Sequence, residues 1–220
     1  MLCLASLAAG LACSPAVAHA ASPAAAASSP RQSNLADFQG QTASTEAKRV
    51  ADWAAASSDN QGLPFIIVDK IAARVFLFDG RARLLGTASA LLGLARGDGT
   101  VAGIGQRRLA AIKPGERTTP AGRFIASLGN DYTQDILWVD YDGALSLHRV
   151  IAGSPKDRRH QRLASTTPLD NRISYGCINV PVDFYDKLVM PAFADTVGIV
   201  YILPETKTLA EVFAIAVESK

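Results

Sequence analysis

Phe65-Ile-Ile-Val-Asp69 and Arg74-Val-Phe-Leu-Phe78, joined by Lys70-Ile-Ala-Ala73 and followed by Asp79-Gly80, decide the fold. Both runs are rich in Ile, Val and Phe and are bounded by polar or small residues, which is the pattern of buried strands. The connection at 70–73 is short enough for a hairpin or for one continuous bent strand. Asp79-Gly80 is a strong turn dipeptide leading into a third run over 83–92. Further strands are predicted over 122–128, 136–140, 144–150, 173–180 and 198–203, with Asp140-Tyr-Asp-Gly143 as another turn. Many short strands without alternating long helices predict a mainly β fold, an antiparallel sandwich or barrel rather than a βαβ fold. One internal helix is expected over 181–192, where Pro181 suits the start and Asp183 falls in the first turn.

Outside this body the pattern changes. Residues 1–20 contain no Asp, Glu, Lys or Arg and end in Ala18-His-Ala20, so they read as a secretory signal peptide. Residues 21–42 are rich in Ala, Ser, Pro and Gln and read as a linker. Residues 43–62 form an expected helical segment with Val50, Trp53 and Ala54 on one side. The body spans 63–204. Residues 205–220 are expected to form a terminal helix, with Leu209, Val212, Phe213 and Ala216 at helical intervals.

The 220 residues carry 22 basic and 20 acidic side chains, a net charge of +2. That balance argues against a nucleic-acid partner. No apolar run has the character of an integral membrane span. The glycines of 97–105 lack the strand–turn–helix context of a phosphate loop, so the segment reads as a flexible loop. The Cys and His spacings match no zinc pattern, and neither metal nor cofactor is implied.

Cleavage after Ala20 removes Cys3, Cys13 and His19 and leaves Cys177 as the one thiol of an exported chain. A thiol without a partner in an oxidising compartment points to a reactive nucleophile. Such a nucleophile needs a base. Two His residues remain. His148 ends the alternating run Ala144-Leu-Ser-Leu-His148, so a strand can aim its ring, whereas His160 lies in the charged loop 156–162. His148 is the favoured base.

Three pieces of this body, taken together in order, resemble the L,D-transpeptidase (YkuD-type) catalytic domain. They are Thr119-Pro-Ala-Gly-Arg-Phe124, Leu147-His148, and Ser174-Tyr-Gly-Cys-Ile-Asn179, and the helix and strand that follow also fit. The resemblance covers roughly 64–204. It implies Cys177 as nucleophile, His148 as base oriented by a main-chain carbonyl, and the N–H groups of Gly176 and Cys177 as oxyanion donors. It also implies that Asn179 braces the Cys177 loop. Ser174 is read as supporting the turn, and Tyr175 as lining the cleft or simply packed. Arg149 is expected to meet substrate carboxylates. The implied partners are peptidoglycan stem peptides, and the implied location is the periplasm or cell envelope.

Two residues depart from the pattern: Tyr175 stands where the signature usually has His, and Arg149 where Gly or Ser is common. The stretch from His148 to Ser174 is also longer than usual. Sortase-type chemistry is excluded, because no Arg follows Arg172. Papain-like enzymes place Cys before His, the reverse of the order here. The remaining alternatives are an L,D-carboxypeptidase with water as acceptor, and a non-catalytic wall-binding or scaffold domain on the same fold.

Overall fold

The hairpin forms. Strand β1 (Phe65–Asp69) pairs antiparallel with β2 (Arg74–Phe78), Phe65 opposite Phe78 and Asp69 opposite Arg74. The computed structural model describes residues 35–131 and 133–215, all within the unit Ser33–Lys220; the predicted signal peptide and most of the predicted linker lie outside the described residues. The other strands are β3 (Leu84–Ser89), β4 (Leu92–Gly93), β5 (Gly122–Asn130), β6 (Asp135–Asp140), β7 (Leu145–Arg149), β8 (Arg172–Ser174), β9 (Ile178–Val180) and β10 (Gly198–Ile202). One eight-stranded sheet runs in the order β3-β2-β1-β10-β5-β6-β7-β9, and β4 pairs with β8 in a second, two-stranded sheet.

The sheet curls nearly shut. Leu91, just past β3 at one edge, exchanges two main-chain hydrogen bonds of 2.8 and 2.9 Å with Asn179 in β9 at the other edge. Ile66, Leu77, Leu137, Leu147, Val180 and Val200 from across the sheet share one core with Phe184, Tyr185, Val189 and Phe193 of a helix over 182–193. Each such side chain, fully buried, contributes about 1.5–3 kcal/mol. The helix contains a π-helical turn, Tyr185–Val189, followed directly by Met190–Phe193. Pro191 has no N–H to donate to the preceding turn, and the widened turn accommodates it.

Helix α1 (Thr45–Ser57) covers the opposite face of β1, β2 and β10. Its Ala47, Val50, Ala51 and Ala54 pack with Phe65, Ile67, Phe76, Phe78 and Tyr201. Burial on both faces explains why β1 reads as a continuous apolar run rather than an alternating one. Ser44 caps α1, accepting from Ala47 N at 3.1 Å while its own hydroxyl donates to Asp69 Oδ2 at 2.6 Å. Among the described residues, no helix is long and apolar enough to cross a membrane.

Four expectations need correction. The sheet is mixed, because β1 pairs parallel with β10 and β7 parallel with β9. Parallel pairs require long crossovers between distant segments, and local strand pattern carries no record of them. The run 173–180 is two strands: Gly176, at φ +141°, turns the chain, so β8 joins β4 while β9 joins β7. The end of the predicted linker is docked, with Phe38 edge-on to Phe76 and Phe78 and Asp37 bridged to Arg83. The terminal helix is a single turn, Leu209–Val212. Phe213 then becomes extended at φ −122°, ψ 154° and packs beside Trp53 and Tyr201. Ala216 lies outside the described residues.

Candidate active site

Alternation along β7 sends Leu145 and Leu147 into the core and Ser146 and His148 to the opposite face. The parallel register sets Leu147 beside Ile178 and His148 beside Asn179. The residue immediately before β9, Cys177, is thereby carried against Ser146. Its Sγ lies 3.5 Å from Ser146 Oγ and 3.7 Å from the Ala144 carbonyl.

The thiol and the His148 ring are close enough that each shifts the protonation of the other. Burial pushes the Cys177 thiol up, but the hydrogen bond and charge of His148, with Ser146, outweigh it and bring the thiol below its ordinary value. Burial pulls His148 down, and the thiolate, the Arg149 carbonyl and the charge of Asp131 outweigh it and hold the ring above its ordinary value. Both displacements favour a thiolate–imidazolium pair.

The ring has a defined edge for each task. Nδ1 lies 2.7 Å from the Arg149 carbonyl, which can only accept, so Nδ1 carries a proton and Nε2 is the basic nitrogen. Asn179 Oδ1 accepts from Arg159 at 3.1 Å, which fixes its amide orientation. Its Nδ2 then lies 3.3 Å from His148 Nε2 and 3.4 Å from the Cys177 carbonyl. Asn179 is buried and joins the ring, the Cys177 main chain and the 159–163 segment.

The turn before the thiol is tightly wired. Ser174 Oγ donates to the Cys177 carbonyl at 2.7 Å and accepts from Gly176 N at 3.1 Å. The Gly176 N–H is therefore occupied, which corrects the expectation that it serves as an oxyanion donor. Among the described residues, the Cys177 N–H donates no hydrogen bond within the protein. Tyr175 lines the cleft with its ring under the Arg117 guanidinium at 4.0 Å.

The cleft has a volume of about 130 Å³ and opens onto Cys177, Gly176, Tyr175, Thr118, Pro120 and Ile104. Its far wall comes from residues 100–118, which include the end of the 97–105 stretch read from sequence as a flexible loop. Three 3-10 turns (Ile104–Gln106, Leu109–Ala111 and Pro114–Glu116) and an Arg107–Glu116 ion pair at 3.0 Å hold this wall.

Arg149 does not join the site. As the next residue along β7 it faces the other way, meeting Asp186 at 2.6 Å and Asp135 at 3.1 Å, with its guanidinium 4.3 Å over Tyr185. His160 is exposed on helix α2 (Arg159–Leu163). Sequence reasoning missed Ser146, although its place two residues before His148 on a strand puts both on one face. It also missed Arg117 and Asp131, for which only the fold supplies the signal, and it gave Thr119 a place in a motif but no role.

A scan against protein-family models finds no match for this chain. A search of curated proteins also finds none. Among solved structures, the chain is similar to the LD transpeptidase LdtMt1 in complex with imipenem, at 17% identity and a TM-score of 0.37. That match covers 64% of this chain and 58% of the other. It is likewise similar to the catalytic domain of an E. faecium L,D-transpeptidase, at 16% identity and a TM-score of 0.37, covering 64% and 96% of the two chains.

Proposed function

We propose that the protein is a peptidoglycan L,D-transpeptidase working through a Cys177 thioester. The observation that carries this reading is the β7–β9 register that brings Cys177 and His148 together, with His148 Nδ1 tied to a main-chain carbonyl and each group shifting the other toward the ionised pair. The Ser174-Tyr-Gly-Cys-Ile-Asn179 signature supports the choice of acyl transfer on wall peptides.

In this reading the thiolate attacks the amide carbonyl that precedes the terminal D-alanine of a stem tetrapeptide, while His148 holds the thiol proton. The tetrahedral oxyanion collapses to a thioester as the C–N bond breaks, and His148 gives its proton to the departing D-alanine amine. An acceptor amine then attacks the thioester, loses a proton to His148 and releases the thiolate. Residues 63–204 are the catalytic domain, and residues 1–20 export it to the periplasm or cell envelope, where peptidoglycan lies.

Mass spectrometry of tetrapeptide muropeptides incubated with the purified protein tests the proposal. D-alanine release with a new cross-link is expected, abolished by Cys177→Ala. Hydrolysis without a cross-link assigns water as acceptor, and an unchanged substrate overturns the enzymatic reading.

A further inference from the structure

We infer that Thr119 is a positioning residue: its hydroxyl sets the plane of the Gly176–Cys177 peptide so that the Cys177 N–H faces the cleft and meets the oxyanion. Thr119 is completely buried. Its Oγ1 donates to the Gly176 carbonyl at 2.6 Å and accepts from Gly93 N at 2.9 Å. A hydroxyl has one proton, so with Gly93 supplying an N–H the only direction left for that proton is Gly176. The Thr119 main chain is pinned as well, its carbonyl accepting from the buried Lys70 ammonium at 2.9 Å. Lys70 is itself held by Asp98 and the Gly97 carbonyl, both at 2.7 Å.

A trans peptide unit is planar, with its C=O and N–H pointing in opposite senses. Drawing the Gly176 carbonyl toward buried Thr119 therefore turns the Cys177 N–H away from it, to the side on which Cys177 lines the cleft. The other main-chain groups of Gly176 and Cys177 are already committed. Ser174 Oγ takes the Gly176 N–H and gives its proton to the Cys177 carbonyl. A Cβ at Gly176 would approach the Thr118 carbonyl to 2.8 Å, so a side chain there would force the backbone to shift. Of the Gly176 and Cys177 main-chain groups, the Cys177 N–H alone has no partner among the described residues, and a donor fixed in place before the reaction costs no reorganisation when charge develops.

The inference rests on the proposed acyl chemistry of Cys177 but not on the identity of its wall substrate, and two reagents separate them. Acylation by p-nitrophenyl acetate passes through a tetrahedral oxyanion, whereas alkylation by iodoacetamide is displacement at a saturated carbon and forms none. In Thr119→Val, acylation of Cys177 should fall at least about tenfold while alkylation stays within about twofold, and Thr119→Ser should keep acylation near the wild-type rate. Thr119→Ala carries the same comparison if the valine variant does not fold. Equal loss of both rates, no loss of either, failure of serine to rescue, or a wild-type Cys177 that is alkylated but never acylated overturns the inference. A wild-type protein that shows the split yet releases no D-alanine overturns the transpeptidase reading alone.

Discussion

His148 donates Nδ1–H to the main-chain carbonyl of its own neighbour, Arg149, at 2.7 Å, while the Arg149 side chain leaves through the opposite face of β7. One residue thus orients the base with its backbone and ties the sheet to the 182–193 helix with its guanidinium. A carbonyl has no titration of its own, so the tautomer that leaves Nε2 basic persists across the working pH range.

This division of labour makes the Arg149 side chain dispensable for chemistry. Arg149→Met should leave the rate of Cys177 alkylation within about twofold of wild type. Urea denaturation should show a loss of about 1–2 kcal/mol, from two half-exposed ion pairs and the stacking on Tyr185. A collapse of thiol reactivity in this variant would place Arg149 back in the site.

Gly176→Ala combines two penalties. The position sits at φ +141°, which disfavours a side chain, and the added Cβ meets the Thr118 carbonyl. The variant should lose about 1–3 kcal/mol in denaturant unfolding. It should also lose acyl transfer more than alkylation, because the strain is relieved by rotating the Gly176–Cys177 peptide.

The buried charges behind the site predict the acid limit of stability. Burial pushes the Asp98 carboxyl up, but Lys70, Thr206 and the N–H groups of Glu205 and Thr206 outweigh it and hold the group well below the usual carboxylate range. A folded-state value below the unfolded one of about 3.9 means the stabilisation is complete above that pH and is lost as pH falls beneath it. Asp98→Asn should therefore flatten the acid limb of stability measured by urea titration at successive pH values. Lys70→Met should cost about 3–5 kcal/mol near neutral pH, because it leaves the buried Asp98 carboxylate without its cationic partner.

The strands and the residues of the Cys177–His148 pair were legible because they depend on local pattern. Apolar runs bounded by turn residues mark β1, β2, β5, β6, β7 and β10, and alternation along 144–148 orients His148. The parallel pairings escaped, since they join segments brought together only by the closed sheet. Gly176 within 173–180 held the clue that this run is broken, but an isolated glycine in a strand pattern has several readings. Arg149 is adjacent to His148 in sequence, but the two-residue period of a strand turns it to the other face. Lys70 and Thr119 were invisible as partners, being 49 residues apart and joined by a single bond to a main-chain carbonyl.

Acyl transfer by Cys177 depends in this reading on the thiolate–imidazolium pair, and the pH dependence of Cys177 alkylation by iodoacetamide measures that pair directly. The thiol is held below its ordinary value chiefly by His148, against the opposing effect of burial. The wild-type rate should therefore stay high as pH falls below about 8.5, the ordinary thiol value, and His148→Ala should move the inflection upward. A wild-type profile that coincides with a free-thiol peptide and does not shift in His148→Ala contradicts the account.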